Sequence, residues 1–240
     1  MKQIKKREDN MFKKVEPLNN ATHQNLRFVG VKSFDSAMDI VSSPLVASEV
    51  VLASKYYPIV FPTDGVIPVS LFSLGQKKNF YVNDDGSWKA PYVPAHIRRY
   101  PFILGGKSGG GGDEQPQAFT VCIDVEAPHF ASDQGEPLFT ADGQPAPLTQ
   151  KAIDFLKAYQ EDVKVTQGAC SELETHGVLV AKKIDLEKSG EKRSFGGFRC
   201  VDVGKMNELD DSILAGWVRN GLMRLIVFHL QSLNNLKILS

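Results

Sequence analysis

The sequence predicts an α+β fold in a single domain: an antiparallel meander of short strands, with two long amphipathic helices in the C-terminal half. Three observations predict it. Short β-prone runs such as 56–61 (YYPIVF) and 119–125 (FTVCIDV) are separated by Asp-Gly turn signals rather than by helical spacers. From Thr149 the apolar residues recur every three to four positions, and they do so again from Asp211. Hydrophobic residues make up 42% and charged residues 23% of the 240, which is globular rather than disordered composition.

The elements follow in order. Residues 1–16 read as a mobile basic and polar arm, since Lys2, Lys5, Lys6 and Arg7 are followed by Glu8, Asp9 and Asn10 and not by an apolar run. Residues 44–54 (PLVASEVVLAS) are apolar enough for a short helix or a buried strand, with Glu49 as their single charge, read as solvated or structural. After the run ending at Phe61, Asp64-Gly65 turns the chain into an alternating strand over 66–74. Residues 79–83 form another short strand, and Asn83-Asp84-Asp85-Gly86 a tight turn. Pro94 opens a helical turn that reaches Tyr100.

Residues 105–117 are glycine-rich and read as a flexible surface loop. Gly106-Lys107-Ser108 is not a phosphate loop, because position 101 is Pro where that motif needs Gly. The strand over 119–125 and an Asp142-Gly143 turn lead to a helix capped by Thr149. Its face is Ala152, Phe155, Leu156, Tyr159, Val163, Cys170 and Leu173, and Gly177 ends it. Residues 184–186 and 195–203 read as a hairpin around Ser189-Gly190. Asp210 or Asp211 then caps a last helix with Ile213, Leu214, Trp217, Val218, Leu222, Leu225, Ile226, His229, Leu230 and Leu233 on its apolar face.

Charge narrows the function. Lys plus Arg equals Asp plus Glu at 28 each, so no net field draws the chain to nucleic acid. No stretch reaches the roughly 20 apolar residues that span a bilayer. By these signals the chain is cytoplasmic, with leaderless export as the route to a cell-surface location. Cys122, Cys170 and Cys200 form no C-x-x-C pair and read as three buried thiols.

No catalytic motif is identifiable, no cofactor is expected, and the reading leans away from an enzyme. The densest chemistry lies over 88–102 (WKAPYVPAHIRRYPF), where aromatics, histidine and adjacent arginines offer stacking and a bidentate fork. Trp88, Tyr92, His96, Arg98, Arg99 and Tyr100 are therefore the candidate binding residues, for a protein partner or for an amino-acid or peptide carboxylate. One arginine is expected inside the fold and the other at the surface, the structural reading of the pair being preferred. A solvated strand end is preferred to a metal site at Asp124, Glu126 and His129, the nearest thing to a ligand cluster.

Several segments together resemble one family. They are His23-Gln24-Asn25-Leu26-Arg27, Tyr57-Pro58-Ile59-Val60-Phe61, Asn79-Phe80-Tyr81-Val82, the 88–102 stretch, Val121-Cys122-Ile123-Asp124 and Gly135-Glu136-Pro137-Leu138-Phe139, then Asp142-Gly143, the helix over 153–159, Val201-Asp202 and His229-Leu230-Gln231-Ser232-Leu233. In this order they are similar to the SapC family of bacterial proteins, with a SapC-like domain over 17–240. The resemblance implies a link to bacterial surface layers, through contacts with a surface-layer component. It carries no catalytic residues. The family shares its name with an unrelated peptide-transporter permease, whose membrane helices this sequence lacks.

Overall fold

The computed structural model describes residues 11–75, 77–105, 120–188 and 191–239, with side chains described except at 186–193. The α+β class is borne out: among the described residues every strand pairing is antiparallel, and the strands divide into three sheets. The first sheet joins β1 (Val15–Pro17), β7 (Thr120–Asp124) and β6 (Phe102–Gly105) in that order. The second joins β10 (Leu179–Lys188), β11 (Glu191–Val201), β4 (Ile59–Pro62), β5 (Val69–Leu71) and β3 (Ser42–Pro44). The third is small, with β2 (Arg27–Phe28) between β8 (Phe130–Ala131) and β9 (Glu136–Pro137). The helices are α1 (Asn20–His23), α2 (Val50–Ala53), α3 (Ala95–Arg98), α4 (Pro147–Thr175), α5 (Val203–Asn207), α6 (Asp211–Asn220) and α7 (Leu222–Ser232).

The core gathers where α7 and α2 meet β4. Tyr57, Ile59, Phe61, Phe72, Trp217 and Ile226 are buried there, with Cys170 and Leu173 of α4 closing the other side. A fully buried Leu or Phe contributes roughly 1.5–3 kcal/mol, so this cluster dominates the apolar burial. His229 ties helix to sheet: its Nδ1 lies 2.8 Å from the Ile59 carbonyl, and its Nε2 accepts from the Val201 amide at 3.1 Å. Nδ1 therefore carries the proton, and the ring is neutral.

Several local expectations change. Thr149 does not cap α4, which begins at Pro147. Pro at that position has no amide to satisfy, and the Thr149 hydroxyl instead donates to the Leu138 carbonyl at 2.7 Å. The last helix is broken at Gly221, whose φ of +84° turns the chain by 86° between α6 and α7. Val218, expected on the apolar face, is instead 63% exposed on α6. Residues 79–83 are a turn with one bridge, Val82 to Trp88, rather than a strand. Of the arm expected over 1–16, residues 1–10 lie outside the described residues, and from Met11 the chain is packed, with Met11 buried. Of the glycine-rich loop expected over 105–117, Gly105 ends β6 and the remainder lies outside the described residues, as does the turn Ser189-Gly190. Among the described residues, no single helix is long and apolar enough to cross a membrane.

Candidate functional site

The 88–102 stretch begins in the core and ends at a cleft. Trp88 packs edge-on against Phe34 and Phe72, each at 5.4 Å, and its indole N–H donates to the Tyr57 hydroxyl at 2.8 Å. The Tyr57 hydroxyl in turn donates to the Tyr92 carbonyl. Tyr92 continues the chain of contacts by donating to Glu49 Oε1 at 2.5 Å. The same oxygen accepts the Ala95 amide at 2.6 Å, and Oε2 accepts the Val46 amide at 3.3 Å. Glu49 is buried, not solvated, and these three donors offset the cost of burying its carboxyl group. Burial first, then the bond to Glu49, holds the Tyr92 hydroxyl protonated well above its ordinary range.

The Glu49 anchor fixes the start of α3 and hence the aim of the next residues. His96 is buried, its Nδ1 3.2 Å from the Tyr159 hydroxyl, while its Nε2 accepts from Arg99 Nη2 at 3.1 Å. Burial and then the Arg99 charge hold this imidazole neutral, its pKa well below the usual value. Arg99 is half-buried over the rings of Phe12 (5.7 Å) and Tyr159 (6.0 Å). Arg98 is exposed, its Nε donating to the Val93 carbonyl at 2.8 Å, with Tyr92 and Phe155 under the guanidinium at 5.6 and 5.4 Å. The adjacent arginines thus part as their adjacency requires, one inward and one outward.

Tyr100 donates to Asp124 Oδ2 at 3.1 Å. The buried Asp124 also accepts the Lys13, Lys14 and Glu126 amides at 2.8, 3.0 and 3.2 Å. This carboxylate is a clamp for the N-terminal strand. The solvated strand end expected at Asp124, Glu126 and His129 is corrected: Glu126 is exposed, but Asp124 and His129 are buried and the Asp124 carboxylate is engaged within the fold. Among the described residues, no group of three or more His, Cys, Asp or Glu side chains could hold a metal ion.

His129 has a different setting. Its ring stacks on Phe28 at 6.2 Å and meets the edge of Tyr100 at 5.2 Å. The residue is 2% exposed, and its Nδ1 has no hydrogen-bond partner among the described residues. With Val31, Phe34, Ile97, Arg98 and Phe155 it lines a cleft of about 380 Å³. One wall of this cleft is set by a glycine. Gly86 has φ +79°, and a Cβ there would lie 2.6 Å from Ser33 Cβ, so only Gly lets the 31–36 segment dock and bring Phe34 onto Trp88. The Gly86 carbonyl then accepts the Phe34 amide at 2.8 Å.

Of the six candidate binding residues, the structure brings Arg98 and Tyr100 to this cleft. It turns the polar atoms of Trp88, Tyr92 and His96 inward, and sets Arg99 against Phe12 and Tyr159. The 31–36 segment had no signal in the sequence, since Val31, Ser33 and Phe34 form neither a motif nor a period. Phe155 was legible only as part of a helix face.

The family model for SapC matches residues 18–239. The chain belongs to the SapC family. Comparison with curated proteins and with solved structures gives no match. The SapC match includes Asp124 and the cleft at Arg98, whereas Phe12, Lys13 and Lys14, which meet Arg99 and Asp124, precede it.

Proposed function

We propose that this SapC chain is an accessory protein of the bacterial cell surface that acts by contacts with a partner rather than by catalysis. One observation supports this most. Glu49, Asp124 and His229 are buried, and each is held by backbone donors or acceptors, leaving no acid or base among them facing a substrate space. What faces solvent at the candidate site is apolar and aromatic surface with one guanidinium, the composition that carries binding energy at interfaces. The link to surface layers that the resemblance implies supplies the setting. A second reading is intracellular binding of an amino-acid or peptide carboxylate, which Arg98 and the buried His129 Nδ1, unpartnered among the described residues, favour.

Protease treatment of intact native cells, followed by detection of this chain, separates the settings. Loss of the chain from intact cells is the expected result. Its survival until lysis would overturn the cell-surface assignment and leave the intracellular reading.

A further inference from the structure

We propose that the cleft at Arg98 is a binding site for a monocarboxylate with an apolar body, supplied either by a free organic acid or by the C-terminal residue of a peptide. The inference deepens the binding function proposed above and rests on it. Size comes first: about 380 Å³ lies within the range of small-molecule pockets, so the cleft itself takes a ligand-sized group or the end of a partner's chain. The walls then set the body of the ligand. Val31, Phe34, Val93, Ile97, Phe155 and the ring of Tyr100 leave hydrocarbon facing the space, which an alkyl or phenyl group would cover.

The polar groups set its head. Among the described residues the lining contains one cation, Arg98, and no carboxylate. The Nε of Arg98 is engaged with the Val93 carbonyl and its plane rests on Phe155, so the fork is held in place before a ligand arrives. Among the described residues no carboxylate pairs with it, whereas Arg199 is paired with Glu174 at 2.6 Å. A single guanidinium matches a single negative charge. A phosphate dianion would be half neutralised, and desolvating it against these walls is unfavourable.

His129 supplies the second polar contact. His129 belongs to the lining, and its buried Nδ1 has no partner among the described residues, so a ligand atom that reached it would satisfy it. The Ser33 hydroxyl already donates to Asp35 at 2.9 Å, and Ser36 brings a further hydroxyl to the lining beside the orienting pair Arg98 and His129.

The test is calorimetric titration of the full chain with 3-phenylpropanoate, its neutral amide 3-phenylpropanamide, the peptide Gly-Gly-Phe and the amidated form of that peptide. The expected result is that at least one carboxylate binds about tenfold or more tightly than its amide, since a charge-assisted bidentate bond is lost in the amide. Arg98→Gln should abolish that discrimination while leaving the melting temperature within a few degrees, because Arg98 is exposed. Val31→Trp, at a 53% exposed position on the cleft wall, should block all four probes without touching the polar pair. Preference for the free acid over the peptide identifies a small metabolite, and the reverse identifies a chain terminus; either supports the site. Equal binding of acid and amide, or binding that survives both substitutions, overturns it. If none of the probes binds while intact-cell proteolysis still removes the chain, the carboxylate site alone is wrong and the surface-contact function stands.

Discussion

His229 shows how one buried side chain makes the fold sensitive to pH. Burial pushes its pKa down from the usual 6.5 to about 4, the hydrogen bond to Ile59 opposing the shift only in part. The unfolded chain therefore binds a proton that the folded chain refuses between those values, and stability rises with pH across that window. The contribution is fully present above pH 6.5 and is lost as pH falls towards 4, a difference of roughly 3 kcal/mol. His96, also held neutral by burial, acts in the same direction. Urea titrations from pH 7 to pH 4 should show falling stability in the native chain. A His229→Gln variant, less stable throughout for lack of its two hydrogen bonds, should show a shallower fall. Equal slopes in the two proteins would remove His229 as the cause. His229 was legible in the sequence as a member of the last helix face. Its partners, Ile59 and Val201, are far away in the chain and no local pattern joins them.

At the scale of elements, two glycines on helices make opposite predictions. Gly221 ends α6 in the left-handed region at φ +84°, and the nearest atom to an added Cβ is Arg224 Nη2 at 4.0 Å. The obstacle to a side chain is the backbone conformation alone, so Gly221→Ala should cost about 1–2 kcal/mol. Gly168 lies inside α4 with nothing within 4 Å of its virtual Cβ. Gly168→Ala should stabilise by about 0.5–1 kcal/mol, through helix propensity and a less flexible unfolded chain. Chemical denaturation of the two variants measures both signs, and a stabilising Gly221→Ala would mean that α6 and α7 can straighten into one helix. The apolar spacing across 213–233 reads as continuous because the break costs one residue. Only the positive φ shows that the helix turns a corner there, so that α7 can lie against β4 while α6 brings Trp217 to His176, 5.7 Å away.

For the whole molecule, the three cysteines report on integrity. All are free and buried, and burial pushes the thiols up, Cys170 to about 12 and Cys200 to about 11. Thiolate is the reactive form, so alkylation at pH 8 should be slow in the native protein and complete at three sites once it is unfolded. Rapid native labelling of Cys170 would contradict the packing of α4 against the core. The sequence by itself determined the class of fold, the long helix, the β-prone runs and the family, because these reside in periodicity, turn residues and residue order along the chain. It also marked 88–102 as the place where aromatic and cationic chemistry concentrates. Which of those side chains face outward was decided by tertiary contacts alone. Glu49, Asp124, Tyr57 and Tyr159 are remote in sequence, yet they take up the polar atoms of Tyr92, Tyr100, Trp88 and His96 and leave Arg98 outside. A buried polar group must find a partner wherever the fold supplies one, and that requirement sorts structural residues from available ones only after the chain has closed on itself.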